Sequence, residues 1–206
     1  MIITMIAVLA ANAQQLSKAY GMVGKDDIEY SRFPGDNDAE AVVLFDKGKS
    51  YFLRVENNFE VIFERTTRIK ILNEAGLKWS EVEVPFYQEN GIYEKVYDIG
   101  GKTYNFENGH LRATDFDNNN TYETVINPSW KALKFAMPDV KPGSIIEYTY
   151  RISSQYKFNL RDWEFQWRIP VVYSKYEVSM IPFYEYTFLL QGASGKKKKK
   201  SYKKKG

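Results

Sequence analysis

A chain of 206 residues, 44% hydrophobic and 27% charged, is sized and composed for one folded domain and excludes a disordered main body. Zero cysteine excludes disulfides, Cys-ligated metals and thiol nucleophiles, and 16% aromatic content favours pleated sheet over a helix bundle. The net charge of +3 is exceeded by the eight lysines of Gly192–Gly206 alone, so the rest is net acidic and offers a phosphate backbone no broad basic field.

The first residues, MIITMIAVLAANAQQ, carry an apolar run and then Ala11-Asn12-Ala13, the small-x-small pattern that signal peptidases accept. Residues 1–13 are therefore expected to be a signal peptide, since the run is short of the ~20 residues a permanent span needs. That expectation implies export to the periplasm or cell envelope. Residues 14–37 are polar and broken by Gly21, Gly24, Pro34 and Gly35, which suits a lead-in. Ala39–Phe45 and Tyr51–Val55 flank Asp46-Lys47-Gly48-Lys49 and predict a hairpin turning at those four residues.

Phe59–Leu72 alternates with a period of two and predicts one long half-buried strand, ended by Asn73–Gly76. Trp79–Tyr87 repeats the alternation, and Pro85 marks a strand end or an edge. Gly100-Gly101 and Asn108-Gly109 predict the two turns of a small meander. Trp130–Val140 reads equally as strand or short helix, and Lys141–Ser144 as a turn. Strand-like runs follow at Ile145–Ile152 and Trp163–Pro182, the latter with Trp163, Phe165 and Trp167 on one face. The sum is an all-β antiparallel sandwich of roughly ten strands over residues 38–191, with little helix and a disordered Lys-rich tail at 192–206.

The candidate chemical sites each have a plainer reading. The loop Asp115–Glu123 spaces oxygen side chains as a calcium loop does, but Asn120 and Ile126 stand where an EF-hand needs Gly and Glu, so a polar turn is expected. His110 is the sole imidazole, and no Gly-x-Ser-x-Gly elbow marks a serine for it, so a turn-exposed histidine is expected. Glu81/Glu83 and Asp162/Glu164 could serve two-carboxylate glycoside chemistry, yet i and i+2 share one strand face and read as solvated charge. Trp79, Trp130, Trp163 and Trp167 could stack on sugars, whereas the row from Trp163 to Trp167 reads as core. No cofactor, metal or nucleic-acid partner is expected.

The segments KFAMPDVKPGSIIEYTYRI and WEFQWRIPVVYSKYEVSMIP together resemble an uncharacterised all-β domain of Bacteroidetes-type envelope proteins, where it precedes a transglutaminase-like, papain-fold domain. The resemblance runs from about Asp38 to Gln191 and rests on Pro138, Gly143, Glu147 and Tyr148, then Trp163, Gln166, Pro170, Val178 and Pro182. It implies a structural motif and no catalytic residue. The function it implies is a non-catalytic exported module that binds a protein, peptide or glycan partner or supports a transglutaminase-like neighbour. The alternative is the severed N-terminal part of a transglutaminase-like cysteine hydrolase.

Overall fold

The computed structural model describes residues 2–8, 16–89, 92–157, 160–182 and 197–201. Among these, the strands are β1 (Ile2–Val8), β2 (Ala41–Val55), β3 (Asn58–Ile71), β4 (Glu81–Glu89), β5 (Ile92–Glu107) and β6 (His110–Asp115). They continue as β7 (Thr121–Asn127), β8 (Trp130–Ala136), β9 (Ile145–Ser154), β10 (Tyr173–Ser179) and β11 (Lys197–Ser201); β1 falls within the expected signal peptide, and β11 is a strand within the tail expected to be disordered. One short α-helix, α1 (Lys25–Glu29), lies in the lead-in. The all-β expectation holds, and the Trp130 segment resolves to strand. None of the described helices is long and apolar enough to cross a membrane.

Hydrogen bonds join the strands in the order β11-β1-β10-β2-β3-β9-β5-β4-β8-β7, with β6 on β5. All pairs are antiparallel except β10 with β2, which run parallel. β4 bonds to β5 only through Gln88 and Glu89, so β4, β8 and β7 form a leaf hinged on the larger part of the sheet. The leaf folds over that sheet, and Val82, Val84 and Phe135 join Ile69, Ile71, Ile146 and Tyr148 in one buried core. Apolar alternation in β3, β4 and β9 is what gives each strand a face for this core.

Three expectations are corrected. Asp46–Lys49 makes no hairpin turn: β2 runs straight through it and pairs with β3 down to Val55↔Asn58. Asp46 instead turns inward and accepts from Arg65, Thr67 and Trp167, while a Cβ on Gly48 would come within 2.2 Å of the Trp163 ring. Gly100-Gly101 is likewise inside β5, where a bulge between Tyr97 and Gly100 bends the strand and Gly101 lets Met137 and the Glu147 carbonyl approach. Trp163–Trp167 lies outside any strand, although Phe165 is buried and both indoles pack on the core. These rings are anchored by their own contacts: Trp163 stacks on Tyr176 with centroids 5.2 Å apart and donates to Ser174 Oγ at 3.0 Å.

The turns at Asn108-Gly109 and Lys141–Ser144 form where expected. Asn108, Gly109 and Gly143 all have positive φ, and the Ser144 amide donates to the Lys141 carbonyl.

Candidate functional site

The sheet's second face, away from the larger core, carries a cluster of charges. Strand alternation puts Phe45, Lys47 and Lys49 of β2 on it, and the register sets neighbours beside them. Lys47 lies between Lys175 of β10 and Thr66 of β3, and one step along Lys49 lies between Glu177 and Glu64. With Tyr173 and Lys18 these side chains surround a depression of about 310 Å³.

Lys18 reaches the depression because a buried ion cluster holds the lead-in. Arg68, wholly buried in β3, donates to Asp27 at 3.0 Å and to Glu147 of β9 at 2.8 Å. Its two terminal nitrogens also donate to the carbonyls of Ser17 and Ala19, each at 2.9 Å, so the backbone is gripped on both sides of Lys18. Glu147 accepts in turn from the Gly21 amide at 2.8 Å and from the Tyr104 hydroxyl. Lys70 fastens the next stretch by donating to the carbonyls of Ile28 and Gly143. Leu16 and Tyr30 then bury themselves against Val42 and Leu44.

Burial sets the ionisation of this cluster. It raises the carboxyls of Asp27 and Glu147 above their ordinary values, with Arg68 opposing, and it lowers Lys70 to about 8. Lys47 is lowered first by burial and then by the positive charges of Lys175 and Lys18. Its ammonium donates to the neutral Lys18 carbonyl and lies 5.0 Å from the Phe45 ring centre. The Lys18 ammonium lies 4.2 Å from the Tyr173 ring centre.

The structure places the residues singled out from sequence as follows. Glu147 is in the ion cluster and Tyr148 in the core. Gly143 shapes the turn that Lys70 fastens, and Pro138 opens the preceding turn. Trp163 packs on Gly48, and the Pro170 carbonyl accepts from Val43. Gln166 and Pro182 are exposed. His110 is exposed at the start of β6, and Glu83 pairs outward with Lys134. Asp117 accepts from the Asn119 amide and side chain, as a polar turn does. Asp162 and Glu164 are exposed, and Trp79 packs on Trp167 while Trp130 sits at the surface against Tyr87. Among the described residues no group of three or more His, Asp or Glu stands close enough to hold a metal ion.

Sequence reasoning missed Lys18, Lys47, Lys175 and Arg68. Reading Asp46–Lys49 as a turn concealed the outward alternation of Phe45, Lys47 and Lys49.

No curated protein matches the chain. Among solved structures, similarity is found to a proposed protease of Parabacteroides distasonis, with TM-score 0.44 and 12% identity over 58% of this chain and 24% of that one. A proposed nutrient-binding protein of Legionella pneumophila is similar with TM-score 0.32 and 9% identity, over 56% of this chain and 40% of the other. The chain thus spans 24% and 40% of those proteins' lengths. The family model for the domain of unknown function DUF3857 matches residues 57–206, well over half of the sequence, and the chain belongs to that family.

Proposed function

We propose that the chain is a non-catalytic, exported envelope module that binds a ligand or partner on its outer sheet face. The observation that carries this reading is the depression itself. Side chains from the lead-in, β2, β3 and β10 converge there, and a buried ion cluster fixes the lead-in's contribution. Small-ligand sites are concave and usually mostly apolar; this one is concave but lined chiefly by lysines, glutamates and a threonine, so what it offers a ligand is polar. Export is supported by the apolar leader and its Ala-x-Ala sequence, and cleavage there would remove β1 from beside β10.

The finer reading, service to a transglutaminase-like neighbour, rests on the resemblance of residues 134–152 and 163–182. The test is calorimetric titration of the purified chain with envelope peptides and glycans, alongside a pull-down with a transglutaminase-like domain. Saturable binding without turnover is expected. Turnover of any bound substrate, or heat signals that never saturate, would overturn the reading.

A further inference from the structure

We infer that the depression takes an anion, a ligand presenting a phosphate or carboxylate group to Lys47, Lys175 and Lys18. This rests on the binding-module reading and adds the chemistry of the ligand.

The sheet breaks a local rule of strand pairing. Like charges directly opposite on neighbouring strands repel and destabilise the pair. Lys47 and Lys175 are such a pair, brought into register by the parallel contact of β2 with β10. The next row along needs nothing added, because Glu177, Lys49 and Glu64 alternate in sign. Lys175 also meets Glu177 at 2.8 Å. That leaves Lys47 facing a neutral carbonyl and Lys18 facing an aromatic ring.

Lys18 is no stray surface lysine. Arg68 grips the peptide carbonyls on either side of it, so a third ammonium is held at the rim where two already repel. Four lysines and two glutamates around one concavity make a cationic surplus, and after burial the charges of Lys175 and Lys18 are what lower the proton affinity of Lys47. An anion seated among the three ammoniums would relieve it. Lysines act as point charges with movable donors, which suits a phosphate or a single carboxylate without demanding a planar fork. At about 310 Å³ the space fits one sugar-sized unit, beside the Tyr173 ring on which the Lys18 ammonium rests.

The experiment is amide NMR of the full chain titrated with glucose 6-phosphate, glucuronate and glucose, each to about 20 mM, a range that captures millimolar affinity. Glucose 6-phosphate or glucuronate should shift the amides of Lys18, Lys47 and Thr66, and glucose should not. The stronger of the two anions separates a phosphate from a carboxylate source. A K47M/K175M variant should bind at least ~10-fold more weakly while its urea midpoint stays near that of the native chain, the lost repulsion offsetting the lost Lys175–Glu177 pair and the lost Lys47 bond to the Lys18 carbonyl.

Equal shifts with glucose would overturn the anion inference and leave the binding-module reading standing. Silence from both anions would overturn it too, with the peptide and glycan panel judging the broader reading separately. Shifts that survive K47M/K175M would place the effect elsewhere, such as the terminal lysine run, and overturn it.

Discussion

Arg68 is the side chain on which most of the outer face depends. It sits fully buried between two fully buried carboxylates, yet its own Nε and the Oδ1 of Asp27 have no hydrogen-bond partner among the described residues. A buried ion cluster with unmatched atoms is a poor way to gain stability, because desolvating charges costs several kcal/mol per ion. Its evident return is positional, since the same guanidinium fixes the carbonyls flanking Lys18. Arg68→Met should therefore strand Asp27 and Glu147 without their cation and lower stability by ~3–5 kcal/mol, read from urea unfolding. Replacing all three charges together, as D27L/R68M/E147M, should cost much less. The triple variant should still lose ligand affinity, because Lys18 is no longer held. If the triple variant proves as unstable as Arg68→Met, the cluster is stabilising in itself and this account of it fails.

At the scale of elements, glycines decide how closely segments approach. A Cβ at Gly48 would meet three ring atoms of Trp163 at 2.2–2.8 Å, and that ring is held by its stack on Tyr176 and its bond to Ser174. At Gly101 the nearest atoms are the Sδ and Cε of flexible Met137, at 3.0 and 2.8 Å. Gly48→Ala should cost ~2–3 kcal/mol by overpacking, and Gly101→Ala distinctly less, as urea midpoints would report. Equal losses would mean that the Trp163 ring moves freely. These glycines also explain where sequence reading stopped. A glycine amid polar residues looks the same whether it makes a turn or admits a ring, and the ring of Trp163 lies far along the chain. The period-two pattern of β3 and β9 was legible because each strand's own residues face one core. Asn108-Gly109 was legible because its backbone needs positive φ at both positions. The depression was not, since Lys18, Lys47 and Lys175 meet only through the parallel pairing of β2 with β10 and the lead-in's path. Glu147 was reached through resemblance, while its partner Arg68 looked like one more outward charge in an alternating strand.

For the molecule as a whole, the lead-in is tied to the sheet by groups whose ionisation has been shifted, so pH should report on that attachment. Lys70 joins α1's Ile28 to the turn at Gly143 through two carbonyls, and burial holds its amine at about 8 against an ordinary 10.5. Below about pH 8 both the folded and unfolded chains keep the Lys70 proton. Between about 8 and 10.5 the unfolded chain binds it more tightly than the folded one, so stability rises with pH across this window. The neutral amine still has two hydrogens for its two carbonyls, so deprotonation sheds a buried charge without giving up either bond. Lys47 is shifted in the same direction and adds to the slope. Asp27 and Glu147 behave oppositely: their raised values make their contribution fall as pH climbs above 3.8 and 4.5 through the folded-state values. Urea midpoints measured from about pH 7 to about pH 9, below the range where buried tyrosines such as Tyr104, Tyr148 and Tyr176 with raised hydroxyl values pull stability down, should therefore climb in the native chain and flatten in Lys70→Met. That variant should be weaker at every pH, because two carbonyls lose their donor, but the slope is read independently of the offset. An undiminished slope in Lys70→Met would show that the proton is released elsewhere and that Lys70 remains charged where it joins lead-in to turn.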